Sequence, residues 1–179
     1  IPALSMRSFS QEKVNGTIEI LITKPLKPID IFAGKFLGIG FILLITIAPT
    51  LFNIIALSSL LDFQSNLDLG KLISSYVGLF FLSTLFLSLS ICCSLIFNNQ
   101  IASFLTSTLF CYVQYFLFDL IANYFSNPYL YDLIINLGAK THYENLISGI
   151  IQVNDLIYFI GINFVLFAFC LALIKKGQD

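Results

Sequence analysis

Long stretches almost free of charge constrain this chain more than any other feature. Four of them, at about residues 31–60, 72–97, 101–125 and 156–174, are nearly all apolar. Each reaches the roughly 18–20 residues that an α-helix needs to cross the hydrocarbon core of a bilayer. They lack the alternation of barrel strands and are much longer than such strands. The sequence therefore predicts an all-α polytopic membrane protein with four spanning helices, as a single domain over residues 1–179.

The composition supports that class. Hydrophobic residues make up 58% of the chain and charged residues 11%, against about 45–50% and about 25% in soluble domains. A soluble domain of 179 residues could not bury this much apolar surface, so the excess is expected to face lipid. The net charge of −1 and the lack of a dense basic patch argue against nucleic-acid binding.

The first apolar stretch is longer than the bilayer core requires and contains Pro49. A proline inside a helix removes a backbone hydrogen bond and kinks or breaks the helix. We therefore expect a kink at Pro49, in a stretch where Lys35 is the one charge after Asp30.

Charged and aromatic residues predict the orientation. With four spans both ends of the chain lie on one side, and that side holds seven of the nine lysines and arginines. An excess of Lys and Arg marks the cytoplasmic side. Tyrosines favour the interface, and six of them map to the other side. Both ends are therefore predicted to be cytoplasmic. The cytoplasmic set is Arg7, Lys13, Lys24, Lys27, Lys35, Lys175 and Lys176, the outer cations are Lys71 and Lys140, and the outer tyrosines are Tyr76, Tyr124, Tyr129, Tyr131, Tyr143 and Tyr158.

A polar stretch over residues 5–30 precedes the first span. Ser8-x-x-Gln11 matches a capping box, and Gly16 is expected to break the helix before a new start at Thr17. The apolar run from Thr17 to Thr23 is too short to span, and its period fits a strand or a helix. Spacing alone leaves two alternatives open, an interfacial helix on the membrane and a docking patch for a partner.

A second mixed segment, residues 126–153, lies on the predicted outer side. Thr141-x-x-Glu144 matches a capping box that would open a short amphipathic helix with Leu146, Ile147 and Ile150 on one side. A helix lying at the outer membrane surface is the favoured interpretation. His142 is the only histidine, and without clustered carboxylates it predicts neither a metal site nor a pH switch.

Within the spans, few residues suggest chemistry. The four cysteines lack metal-ligand spacing and are expected to be buried and reduced. Asp119 is a candidate for a role in transport, because an intramembrane carboxylate is costly, but its place near the outer end would also let it reach water. Small residues at spacing four predict helix packing rather than substrate contacts. The cysteines are Cys92, Cys93, Cys111 and Cys170, and the small-residue sets are Gly34 with Gly38, and Thr84 with Ser88 and Cys92.

Two separated motifs resemble a known family. The first comprises Glu12-Lys13, then Gly16-Thr17-Ile18-Glu19-x-Leu21-Ile22-Thr23-x-Pro25, then Gly34-Lys35. It resembles the first cytoplasmic loop and the following span of ABC-2 type ABC-transporter permeases. The second runs from Thr141-His142-Tyr143 through Gly149 to Asp155-Leu156-Ile157-Tyr158. It is similar to the segment before the last helix in gliding-motility-associated permeases and their copper-maturation relatives.

The resemblance implies a function and a site. In this family the first cytoplasmic loop contains a coupling helix that docks on a cytosolic ATPase, which would make the Thr17–Thr23 run helical. The ATPase-coupling residues would be Glu12, Lys13, Gly16, Thr17, Ile18, Glu19, Leu21, Ile22, Thr23 and Pro25. Ile18, Leu21 and Ile22 would fill a cleft on the ATPase, with Glu12, Lys13 and Glu19 on the polar rim. The outer segment would form a re-entrant or surface hairpin that closes the outer side of the pathway.

The same resemblance implies partners and place. The partners would be the ATPase, a second permease copy or homologue, and membrane lipid, in a bacterial inner membrane. The chain has no Gly-x-x-x-x-Gly-Lys-[Ser/Thr] motif, so no cofactor is expected here and ATP would bind to the partner. These permeases usually have six spans, and the chain begins at Ile1 without a methionine. We therefore expect a fragment lacking the first span and most of the second.

Two alternatives stay open. A non-transport scaffold or assembly protein of the inner membrane would not need the coupling helix. An intramembrane enzyme would need paired polar residues at matching depth, and Asp119 has no evident partner in the sequence. No H-E-x-x-H or G-x-S-x-G motif supports an enzyme.

Overall fold

The computed structural model describes residues 1–17, 27–60 and 68–176, and these residues form helices without a strand. Two short helices come first, two long helical stretches and a third with a π-helical turn form most of the bundle, and two short helices precede the last long one. They are α1 (Pro2–Ser5), α2 (Ser10–Val14), α3 (Pro28–Ile47), α4 (Thr50–Leu60), α5 (Leu69–Ile96), α6 (Gln100–Tyr112), the π-helical turn Val113–Leu117, α7 (Phe118–Ala122), α8 (Pro128–Ile135), α9 (Ala139–Ile147) and α10 (Val153–Lys176).

Four helical stretches are long and apolar enough to cross a bilayer: Pro28–Ile54, Gly70–Ile96, Gln100–Ala122 and Val153–Lys175. The prediction of a polytopic α-helical membrane protein is thus confirmed. The expected interruption of the first stretch is also present, because α3 ends at Ile47 and α4 begins at Thr50, on either side of Pro49.

The helix α5 is the centre of the bundle. The apolar part of α5 that could cross a bilayer is 56% buried, whereas the corresponding parts of the other three stretches are each 17% buried. It packs against α3, α6, α9 and α10, and also against the short helices α1 and α2. The other long helices therefore keep broad apolar faces open, which lipid can cover.

Two clusters of buried side chains define the two ends of the bundle. One contains Phe9, Phe32, Leu95 and Ile174, and we call its end the basic end, because Arg7, Lys13, Lys35 and Lys175 lie there. The other cluster comprises Leu85, Ala139, Leu146 and Phe159. We call that end the hairpin end, because α8 and α9 lie there.

Both predicted capping boxes are wrong. The helix α2 begins at Ser10 with Phe9 as its N-cap, and Ser8 Oγ instead lies 3.4 Å from Ser94 Oγ. Thr141 lies inside α9, where its hydroxyl donates to the Ile135 carbonyl at 3.2 Å. In a capping box the hydroxyl oxygen would accept a hydrogen bond from a nearby backbone N–H. In both places the hydroxyl instead donates to an acceptor further away in the chain.

The cysteine prediction is wrong for one pair. Cys92 on α5 and Cys170 on α10 form a disulfide, with their Cα atoms 5.7 Å apart and 78 residues between them in sequence. That Cα separation lies in the usual disulfide range. Packing of α10 on α5 brings the two positions together, which their sequence spacing does not indicate. Cys93 and Cys111 are free and buried, as expected.

Candidate functional site

The N-terminal segment, residues 1–17, is attached to the basic end through one buried hydroxyl. Ser94, near the end of α5, accepts the backbone N–H groups of Phe9 and Ser10 at 2.9 and 3.1 Å. Its own hydroxyl donates to the Met6 carbonyl at 3.2 Å. Ser94 is fully buried, so these bonds are shielded from water and fix the segment to α5.

Lys35, in the second turn of α3, ties the same segment to the first span. Its Nζ lies 2.6 Å from Glu12 Oε1 and also donates to the Ser8 carbonyl. The ammonium group lies 4.2 Å from the centre of the Phe9 ring, a cation–π contact. One lysine of α3 thus contacts Ser8, Phe9 and Glu12 on the N-terminal segment.

Lys13 makes a third attachment. Its Nζ donates to the Leu95 carbonyl in the last turn of α5, where a cation is favoured by the helix dipole. Burial lowers the pKa of Lys13. Sequence reasoning placed Glu12 and Lys13 on a rim that faces a partner, whereas the structure places both side chains against the spanning helices.

The described part of the predicted coupling segment ends at Thr17. Gly16 has a φ of +69°, a conformation that favours glycine, and it ends α2 as expected. Thr17 Oγ1 donates to the Glu12 carbonyl at 3.3 Å. The predicted site residues Ile18, Glu19, Leu21, Ile22, Thr23 and Pro25 lie outside the described residues.

At the hairpin end, α9 packs one face against α5, α10 and the π-helical turn. A Cβ added at Gly78 of α5 would lie 2.9 Å from Leu146 Cβ, and Ser74 Oγ donates to the Leu146 carbonyl at 2.5 Å. The buried residues of α9 are Ala139, His142 and Leu146. Ile150, expected on this face, lies beyond the helix end and is exposed.

The turn between α8 and α9 is held by two side chains. Gln114 Nε2 and the Tyr158 hydroxyl donate to the Leu137 carbonyl at 3.2 and 2.7 Å. Gln114 lies in the π-helical turn Val113–Leu117, and such turns are frequent at functional sites. A Cβ at Gly138 would lie 3.1 Å from Phe118 Cβ. Sequence reasoning did not predict this junction, because a π-helical turn has no clear sequence signature.

His142 has a carboxylate partner that the sequence did not reveal. Its Nδ1 lies 2.6 Å from Asp155 Oδ1, and its Nε2 lies 3.0 Å from the Asn136 carbonyl. The ring stacks on Tyr158 with 4.0 Å between centroids. A carbonyl and an ionised carboxylate are both acceptors. Both ring nitrogens of His142 therefore face oxygen atoms that can accept a hydrogen bond.

Asp119 is also paired. Lys140 Nζ, on α9, lies 2.6 Å from Asp119 Oδ2 and 3.9 Å from Glu144 Oε1. The hydrogen bond that Lys140 donates to the Asp119 carboxylate raises the pKa of Lys140. The structure thus joins this transport candidate to the short helices at the hairpin end, where sequence reasoning saw no partner for it.

Comparison with known families covers almost the whole chain. A family model described as "ABC-2 family transporter protein" matches residues 2–175. The chain belongs to the ABC-2 transporter family. This makes it a multi-pass membrane subunit of an ABC transporter, in a family that generally works with a cytosolic ATPase. A search of curated proteins gives no significant match.

The small-residue sets of this ABC-2 permease have different surroundings. Ser88 donates to Asn163 Oδ1 and Cys92 forms a disulfide with Cys170, so these two members of the set pack against α10, in line with the predicted role in helix packing. At Gly34 and Gly38, no heavy atom of the described residues lies within 4 Å of an added Cβ. The Gly34-x-x-x-Gly38 face of α3 therefore does not mediate a close helix contact in the described part of the permease.

The described residues of the permease contain no group of three or more His, Cys, Asp or Glu side chains that could hold a metal ion. The residues that converge instead form two polar junctions. One joins residues 8–13 to α3 and α5 at the basic end. The other joins α8 and α9 to α7 and α10 at the hairpin end.

Proposed function

We propose that this permease uses ATP hydrolysis in a separate cytosolic subunit to drive export or mechanical work linked to gliding motility. The observation that carries the proposal is the family match over residues 2–175. The second motif, from His142 to Tyr158, supports the link to gliding motility because of its resemblance to those permeases. In this proposal ATP binds to the partner, and the permease also pairs with a second copy or a homologue.

The coupling site in this proposal is the segment from Glu12 to Pro25, with Ile18, Leu21 and Ile22 inserted into the ATPase. The attachment of the preceding residues to the spanning helices supports this site. Residues 8–13 are held by Ser94, Leu95 and Lys35, so the segment that follows starts from a fixed support. A docked element must be firmly attached to the spans if it is to move them.

We also propose that the basic end is cytoplasmic and that the protein lies in a bacterial inner membrane. The grouping of charges supports this orientation. Arg7, Lys13, Lys35 and Lys175 lie at one end of the bundle, while Lys71 and Lys140 lie at the other. Lys and Arg accumulate on the cytoplasmic side of membrane proteins.

Co-purification tests the proposed coupling. The tagged permease is expected to retain a cytosolic ATPase, and deletion of residues 11–25 is expected to abolish the association. Leu21→Asp is expected to reduce it by about tenfold or more, because a charge would be placed in an apolar contact. Leu133→Asp is the matched control, because Leu133 is half exposed on α8 at the hairpin end.

Equal retention of the ATPase by wild type and the residue 11–25 deletion would contradict the coupling site. Absence of an ATPase from the wild-type preparation would favour the alternative of a membrane scaffold or assembly protein. Loss of gliding in a strain lacking the permease, with restoration by wild type and not by Leu21→Asp, would support the link to motility.

A further inference from the structure

The two flanks of the proposed coupling segment are joined to each other by one ion pair. Residues 18–26 follow the N-terminal segment and precede α3, which begins at Pro28. Glu12 lies before this segment and Lys35 after it, and their charged atoms are 2.6 Å apart. We propose that Lys35 is a positioning residue that transmits displacement of residues 18–26 to α3 and α5 together; this inference rests on the proposed coupling function.

The chain connection alone would transmit such a displacement poorly. Lys27 has extended backbone dihedrals, φ −72° and ψ 142°, and α3 starts immediately after it. Rotation about the backbone bonds of this extended residue can absorb part of a displacement before it reaches α3. Lys35 lies about 10 Å further along α3 than Pro28, at 1.5 Å rise per residue. Its contacts thus add a second attachment, deeper on the same helix.

The N-terminal segment carries the connection onward to α5. Ser94 holds the backbone of Phe9 and Ser10, and Lys13 holds the last turn of α5 through the Leu95 carbonyl. Residues 8–13 therefore lie between two spans and are bonded to both. Because α5 is the most buried of the four long stretches, a displacement passed to α5 would move the helix at the centre of the bundle.

The charge of Lys35 is the important property. Its side chain is 19% exposed and that of Glu12 is 33% exposed, so water only partly screens the pair. Glu12 Oε2 is buried without a hydrogen-bond partner among the described residues. An apolar side chain of similar length at position 35 would leave the Glu12 carboxylate unpaired. Arginine would keep both the charge and the hydrogen bonds.

The experiment compares Lys35→Met, Lys35→Arg and Glu12→Gln with the charge exchange of Glu12→Lys and Lys35→Glu in one chain. Each permease is purified in membranes with its co-purifying ATPase. Lys35→Met is expected to retain the ATPase within about twofold while transport-coupled ATP turnover falls by about tenfold. Lys35→Arg is expected to match wild type, and the exchange is expected to recover about half of the coupling, since it preserves the ion pair.

A second measurement needs no partner. Amide hydrogen exchange on the detergent-purified permease is expected to be about tenfold faster over residues 8–13 in Lys35→Met than in wild type. Lys71→Met replaces an exposed lysine at the hairpin end that has no proposed role in coupling or transport. It is the matched control and is expected to leave both coupling and exchange over residues 8–13 unchanged.

Wild-type exchange over residues 8–13 in Lys35→Met would overturn the proposal. So would unchanged coupling, or a loss of ATPase association as large as the loss of coupling, which would make Lys35 a docking residue. If wild type retains no ATPase, the proposed function fails, while the exchange experiment still decides whether Lys35 holds the segment.

Discussion

Individual polar side chains in this permease are buried where different helices meet. Ser94 binds residues more than eighty positions earlier in the chain, and His142 binds Asp155 across the junction of α9 and α10. Buried polar groups are costly unless they are hydrogen-bonded. Ser94 and His142 each contact more than one hydrogen-bond partner, so these polar contacts help to specify how the helices pack.

Replacing Asp155 by asparagine tests the junction at the hairpin end. Asp155 is 1% exposed and its Oδ1 contacts both His142 and Asn145. Asp155→Asn is expected to destabilise the protein by about 2–3 kcal/mol, the usual loss for hydrogen bonds to a charged group. The melting temperature in detergent would report it. Asp132→Asn, at an exposed acid of α8, is the control, and equal melting of the two variants would contradict the prediction.

At the scale of elements, close approach of helices determines where α9 sits. Gly78 allows Leu146 to contact the backbone of α5, and Gly138 allows the turn before α9 to contact Phe118. The π-helical turn Val113–Leu117 presents Gln114 to that same turn. These contacts lie between α5, the π-helical turn and α10, so motion of α8 and α9 would require these elements to separate at the hairpin end.

Substitution of Gly78 by alanine measures this packing. The added Cβ would lie 2.9 Å from Leu146 Cβ, which is too close for two carbon atoms. Gly78→Ala is expected to destabilise the protein by about 1–3 kcal/mol, the usual cost of overpacking. Gly161→Ala on α10, where an added Cβ would have no heavy atom of the described residues within 4 Å, is the matched control and is expected to be neutral or slightly stabilising. Similar thermal unfolding of both variants would refute the close contact.

The disulfide between α5 and α10 has a direct chemical test. When wild-type protein is denatured and alkylated without reductant, only Cys93 and Cys111 are expected to be alkylated, because Cys92 and Cys170 are paired. After reduction, Cys92 and Cys170 are expected to be alkylated as well. A chain with Cys93→Ser and Cys111→Ser is the control and is expected to show no modification before reduction. Mass spectrometry would detect alkylated Cys92 in unreduced wild type if the pairing were absent.

At the scale of the whole molecule, the bundle has one central helix, apolar flanks and two ends of different charge. The flanking long helices remain largely unburied within the described residues. Lipid can cover these surfaces, and so can the second permease copy of the proposed complex. The concentration of cations at the basic end is the property from which the proposed orientation follows.

Labelling of single cysteines tests the orientation. Val14 at the basic end is 66% exposed, and Tyr129 at the hairpin end is 70% exposed. In a chain with Cys93→Ser and Cys111→Ser, Tyr129→Cys is expected to react with a membrane-impermeant maleimide in spheroplasts. Val14→Cys is expected to react only after permeabilisation. The reverse pattern would invert the proposed topology.

Much of the fold followed from the sequence because its causes are local. Four apolar stretches predicted four long helices, Pro49 predicted the break between α3 and α4, and Gly16 predicted the end of α2. Helix formation in an apolar stretch depends on neighbouring residues and on the need to satisfy backbone groups within the stretch. The motifs likewise indicated the ABC-2 family from residues close together in the chain.

The junctions were decided only by the tertiary structure. Sequence reasoning placed Glu12 and Lys13 on the polar rim of the contact with the ATPase. It identified no partner for Asp119 or His142 and no pairing of Cys92 with Cys170. The structure pairs Glu12 with Lys35, Asp119 with Lys140, His142 with Asp155, and the two cysteines with each other. Each partner lies on another helix, 13 residues or more away in the chain. Helical periodicity describes one helix at a time, whereas these pairs depend on how helices rotate and cross when they pack.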